Sequence, residues 1–125
     1  MGISTSARGD VGTSLLGPGS KADTAACTSG WVQVGQYKGE VLIYLAFGAI
    51  VGSIAGKIRT ATDGSGTGAA DIAGATFASF NSTFANTVQT LAVPKSAGPY
   101  IQYVGTVTTG PIAMAAFLTA HPGSV

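Results

Sequence analysis

The chain has 125 residues, enough for one domain with a sizeable core. Charged residues make up 9% of it and the net charge is +1, where ordinary soluble domains carry about 25% charged residues. No basic patch with interleaved aromatics is present, so the sequence carries no electrostatic footprint for nucleic acid. Cys27 is the single cysteine, which excludes an internal disulfide or a multi-cysteine metal site and suits a chain folded in a reducing cytoplasm. Gly, Ala, Ser and Thr together exceed half of the residues, so large core side chains are few. A surface of small, uncharged residues is poorly protected against association, and the composition predicts one largely covered by other subunits.

Residues 1–29 contain no sustained alternation of apolar and polar positions. Ile3, Val11, Leu15 and Leu16 stand as isolated apolar anchors, and Gly17-Pro18-Gly19 breaks the run. This segment is predicted to be an extended N-terminal arm, too poor in apolar residues to fold alone and held in place by a neighbouring subunit. Nothing at this end has the apolar core of a signal peptide. Residues 30–125 form the predicted domain. Trp31-Val32-Gln33-Val34 opens it as a short strand over 31–35, with Trp31 as a core or sheet-edge anchor.

Val41 to Gly56 is sixteen residues without a charge, with Gly48, Gly52 and Gly56 at helix-packing spacing. A membrane-spanning helix needs about 20 such residues, and Glu40 and Lys57 bound this run. It divides better into a strand over 41–47, apolar on both faces and so central, a turn around Gly48–Ser53, and a second strand. That second strand, 54–62, places Ile54, Gly56, Ile58 and Thr60 on one face, with Lys57 and Arg59 on the other. Asp63-Gly64-Ser65-Gly66-Thr67-Gly68 then reverses the chain into a strand over 70–80 carrying Ile72, Phe77 and Phe80. Further strands are predicted at 87–93, 100–107 and 112–119, separated by Gly/Pro turns. The inward set comprises Leu42 or Ile43, Leu45, Ile58, Phe77, Leu91, Ile101, Tyr103, Val107 and Phe117. Seven short strands with no convincing helix predict an all-β protein, a single β-sandwich.

Residue types that carry chemistry are sparse. His121, the only histidine, sits beside Pro122, and the nearest acidic residue in sequence is Asp71. Five carboxylates, no two closer than eight positions, suggest no acid/base pair. The glycines of 64–68 lack the lysine and following helix of a phosphate loop. Asp63 and Asp71 are few for a calcium loop and serve the turn in the simpler reading. Arg8-Gly9-Asp10 matches an integrin-binding tripeptide and Asn81-Ser82-Thr83 a glycosylation acceptor; both patterns are short enough to recur by chance. No enzyme activity, cofactor or metal is expected.

The segments KIRTATDGSGTGAADIAGATF (57–77) and AGPYIQYVGTVTTGPIAMAAFLTA (97–120) resemble tailed-phage capsid cement or decoration proteins with a jelly-roll-like β-sandwich. The resemblance extends from about Gly39 to Ala120. It departs at Thr67-Gly68, where such proteins often carry a Trp just after the Asp-Gly turn, which argues against a hairpin-tip platform for a ligand. The resemblance implies a non-enzymatic virion protein, made in the host cytoplasm, on the outer surface of an icosahedral head. Its partners would be the major capsid protein and itself, as a dimer or trimer, with no nucleic acid and no membrane. A carbohydrate-binding β-sandwich (a virion adhesin) and a head-tail connector or tail subunit are the alternatives. In the cement reading Ile3, Val11, Leu15 and Leu16 dock on the capsid or an adjacent copy. Deleting residues 2–20 is then expected to leave the melting of the sandwich almost unchanged and to lower occupancy on heads, read by melting and co-sedimentation.

Overall fold

In the computed structural model, residues 11–35, 37–93 and 99–122 are described. They form eight strands: β1 (Val11–Lys21), β2 (Val32–Gln33), β3 (Tyr37–Ile50), β4 (Ser53–Ala61), β5 (Ala70–Asn81), β6 (Val88–Val93), β7 (Tyr100–Thr109) and β8 (Ile112–Pro122). One 3-10 turn, Ser82–Phe84, is capped by the Asn81 side chain, which accepts from the Thr83 amide. Two four-stranded antiparallel sheets face each other, in the orders β1-β8-β3-β6 and β2-β7-β4-β5. First strand pairs with last, second with seventh, third with sixth, fourth with fifth. This nested pairing, folded over into two sheets, is the wiring of a jelly roll.

Seven strands lie where the alternation and the turn residues put them. β1 does not, since no strand was expected before Trp31. Its period of two is broken twice in eleven residues, by register shifts between Ser14 and Leu16 and between Leu16 and Gly19. A strand with two bulges does not look like one in sequence. Residues 11–29 accordingly belong to the sandwich. β1 pairs with β8 along the sheet edge, and the loop after it carries Cys27 into the core. Of the segment read as an arm, residues 1–10 lie outside the described residues. Deletion of residues 2–20 removes nearly all of β1, and the expectation of unchanged melting falls with it.

The uncharged run 41–56 is β3, a turn at Val51-Gly52, and the start of β4. Among the described residues no helix is long and apolar enough to cross a membrane. Gly52 turns the chain at φ 81°, where an added Cβ would run into the Thr109 carbonyl, so only glycine fits.

Alternation sorts the residues as expected on most strands. Ile43, Leu45, Ile58, Ile101 and Tyr103 are fully buried and Phe77 nearly so, while Leu91 and Val107 are half-buried against the same core. Of the alternatives at 42 and 43, Ile43 is the inward one. Thr60 is only half-buried and Ala61 is buried in its stead. Phe117 is a correction: it points away from the core and stacks on Tyr44, with ring centroids 5.0 Å apart and planes within 7°. The inward residues of β8 are Ile112, Met114, Ala116, Leu118 and Ala120. One residue of phase separates the two readings, and β8 is apolar at nearly every position, so its sequence does not fix the phase.

Tyr103 occupies the centre of the core. Its ring lies across the inner face of the second sheet over Gly56 and Gly105, where a Cβ at either position would come within 2.8 Å of the phenol oxygen. Phe77 meets it nearly edge-on at 6.2 Å, and Phe80 continues the aromatic line to Phe47 and Phe84. Truncating Ile58 to Ala should cost about 2–5 kcal/mol in a denaturant melt. Phe117→Ala should cost only the outer stack, about 0.5–1.5 kcal/mol. An equal loss for the two would return Phe117 to the interior.

Candidate interaction surface

The groups singled out for chemistry are tied into structure. Asp63 closes the 62–68 loop: its Oδ1 accepts from the amides of Ser65 (2.8 Å) and Thr67 (3.2 Å). A hydrogen bond from the Thr67 hydroxyl, helped by these amides, holds its carboxyl below the usual aspartate range. The Thr62 amide and hydroxyl both donate to the Thr67 carbonyl at 3.0 Å, completing the reversal. Asp71, eight residues on, faces Lys57 Nζ at 3.2 Å and Arg59 Nε at 3.3 Å on the outer face of β4 and β5. The Lys57 contact is a hydrogen bond, whereas Arg59 Nε is too poorly aligned for one. The carboxylates considered for calcium thus serve a turn and a surface ion-pair cluster. No group of three potential metal ligands occurs among the described residues.

Cys27 is fully buried, its sulfur 3.9 Å from that of Met114, and burial pushes its thiol pKa up. A thiol so placed stays protonated and packs as a small apolar side chain. Trp31 and Tyr100, both half-buried, abut Gly66 and Gly64 of the 62–68 loop. His121 lies in β8 opposite Lys38 of β3.

The four arm anchors part company. Ile3 lies outside the described residues, as does Arg8-Gly9-Asp10. Val11 begins β1 opposite Ala120, Leu15 packs half-buried against the core, and Leu16 is a core residue at 9% exposure. Leu15 and Leu16 therefore make their contacts within their own sandwich. The bulges that hid β1 also bring Leu16 to the inner face.

The two outer faces differ sharply. That of the second sheet carries Lys57, Arg59 and Asp71, together with Gln102, whose amide donates to the Ser29 carbonyl at 2.9 Å. Across the first sheet, one row reads Ser14, Phe117, Tyr44, Thr90 from β1 through β8 and β3 to β6. Leu42, Ala46, Ala113 and Ala115 extend it, all half-buried, and Val88 is 58% exposed. No charged side chain stands among these described outward positions. The sequence marked β3 as apolar on both faces and central. It is central in its sheet, yet only one face is covered, because centrality follows from pairing with β8 and β6 and not from layers on both sides.

No protein-family model matches the chain, nor does any curated protein or solved structure.

Among the described residues two buried side-chain polar atoms lack a hydrogen-bond partner: Arg59 Nε, which faces Asp71, and the Tyr103 hydroxyl at the centre of the core. Burial pushes the pKa of the Tyr103 hydroxyl well above the usual range. An orphaned buried hydroxyl costs about 1–3 kcal/mol in desolvation. Tyr103→Phe should therefore raise stability, by about 1 kcal/mol, in thermal and denaturant melts. A loss of stability would show that the hydroxyl has a partner in solution.

Proposed function

We propose that this chain is a non-enzymatic virion structural protein, a cement or decoration protein on the outside of an icosahedral phage head. It would bridge neighbouring capsomers of the major capsid protein. The observation that carries this reading is a sandwich whose first sheet shows, at its described outward positions, small and apolar residues and no charge. Monomeric soluble proteins rarely expose contiguous apolar surface on that scale, and a component of a larger assembly has it covered. The likeness of residues 57–77 and 97–120 to cement proteins points the same way, as does a composition short of charge. Bracing a shell asks for area, stiffness and many copies, each binding modestly and together resisting internal pressure.

The carbohydrate-binding alternative draws on Trp31 and Tyr100. Both rings abut glycines of the 62–68 loop, and the carboxylate at that loop, Asp63, is held by Ser65 and Thr67. Those contacts favour a structural role for the cluster.

Incubated with heads that lack it, the full chain should co-sediment at hundreds of copies per particle, a copy number suited to cement. Removing residues 2–10 leaves β1 whole and is expected to lower that occupancy several-fold with little change in melting. Failure of the full chain to bind heads, or a copy number of six or twelve, would end the cement reading. Full decoration by the truncated protein would end the anchoring role of the terminal residues alone.

A further inference from the structure

We infer that the outer face of the β1-β8-β3-β6 sheet is a self-association surface, on which a second copy of this chain packs face to face about a two-fold axis. This inference does not rest on the virion reading.

Three features of the face select a second copy as its occupant. The first is charge. A two-fold axis brings each residue near it against its own image, so any charge there meets the same charge. The described outward positions of this sheet carry none, while the opposite sheet places Lys57, Arg59 and Asp71 on its outer face. A surface that grips a different, charged partner would use charge at its centre; a self-complementary one omits it at the axis.

The second feature is shape. Along the central pair of strands the outward residues shrink steadily. Tyr44 lies opposite Phe117, then Ala46 opposite Ala115, then Gly48 beside Ala113. The aromatic pair forms a ridge of two parallel rings. Beyond it the small residues, with Pro18 and Gly19 of the β1 bulge as one wall, line a shallow hollow of about 410 Å³. From the Tyr44/Phe117 row to the Gly48/Ala113 row the central pair of strands is a wedge, thick at one end and thin at the other. An axis crossing the strands at the Ala46/Ala115 row lays each copy's ridge into the other's hollow. Two wedges so opposed give a contact of even thickness, as close packing requires.

The third feature is area. At the rise and spacing of β-strands the four strands present a face of roughly 650 Å², close to the roughly 800 Å² that each partner of a stable pair buries. Stacked sheets whose side chains interdigitate in this way pack about 10 Å apart.

The test uses the intact chain. In light scattering coupled to size exclusion at micromolar concentrations, it should run at twice its 12.3 kDa monomer mass. Ala46→Glu sets two carboxylates against each other at the axis and should weaken the dimer about 100-fold or more, with circular dichroism confirming the fold. A second variant guards against misfolding: Ala46→Cys should be linked to a covalent dimer by a short bismaleimide, while Thr106→Cys, on the opposite sheet, should not. A chain that stays monomeric at near-millimolar concentration overturns the inference. So does a dimer indifferent to Ala46→Glu, or one linked through Thr106→Cys. A monomer whose Ala46→Glu variant no longer binds heads would assign the face to the shell instead.

Discussion

Ile43 lies opposite Leu118 and Leu45 opposite Ala116, and the remainder of the sandwich hangs on that register between β3 and β8. Both strands are apolar at almost every position, so a slip by one residue would still give an apolar inner face. It would, however, bring Tyr44 and Phe117 into a space filled by Ile43, Leu45 and Leu118 and push those outward. The register is held at both flanks. On one side β1 adds the pairs Ser14 with Phe117 and Leu16 with Ala116. On the other, β6 sets Leu91 against Ile43 and Val93 against Val41. Behind the inner face stands Tyr103 of the other sheet, for which Gly56 and Gly105 leave space, with Phe77 edge-on beside it. Swapping the phase of β3 and β8 would change volumes across the whole core, and cores tolerate little of that.

Much of this was legible in the sequence. The hairpin of β4 and β5 announced itself through Lys57 and Arg59 alternating with Ile54, Gly56 and Ile58, and through the Asp-Gly reversal that Asp63 closes. β7 was legible for a like reason, with Gln102 set between Ile101 and Tyr103. Strands with one wet and one dry face write their phase into the chain. β8 does not, because Ala113, Ala115 and Phe117 face outward without being polar, and Phe117 was accordingly placed inside. β1 was missed for a different reason, since its bulges shift the phase twice around Leu16 and Gly17-Pro18-Gly19. The outer face of the first sheet showed in the sequence only as a strand apolar on both sides. Alternation identifies which residues share a face, whereas what covers that face is decided by strand order.

The two sheets differ in where their polar groups lie. The second sheet spends its few charges outward, and its loop and core positions are tied by the hydrogen bonds around Asp63 and Ser29. At its described outward positions the first sheet carries mostly alanine, threonine and serine, with Leu42, Val88 and one aromatic pair. Small side chains lose little rotamer freedom when covered, so such a face is ordered by contact at low entropic cost. Among the described outward positions, charge is present on the second sheet and absent from the first, where another surface is inferred to lie.

The bulged strand β1 also limits how far any such assembly can grow. A flat apolar sheet with an open edge invites strand after strand, and many copies joined in that way make a fibre. Here the edge carries Pro18, which has no amide hydrogen to offer, and two register shifts that interrupt the row of donors and acceptors. Copies that meet through faces about a closed axis stop at a fixed number, whereas copies that meet through edges do not. A blunted edge beside an open face would, on the pairing inferred above, favour a closed particle over a filament.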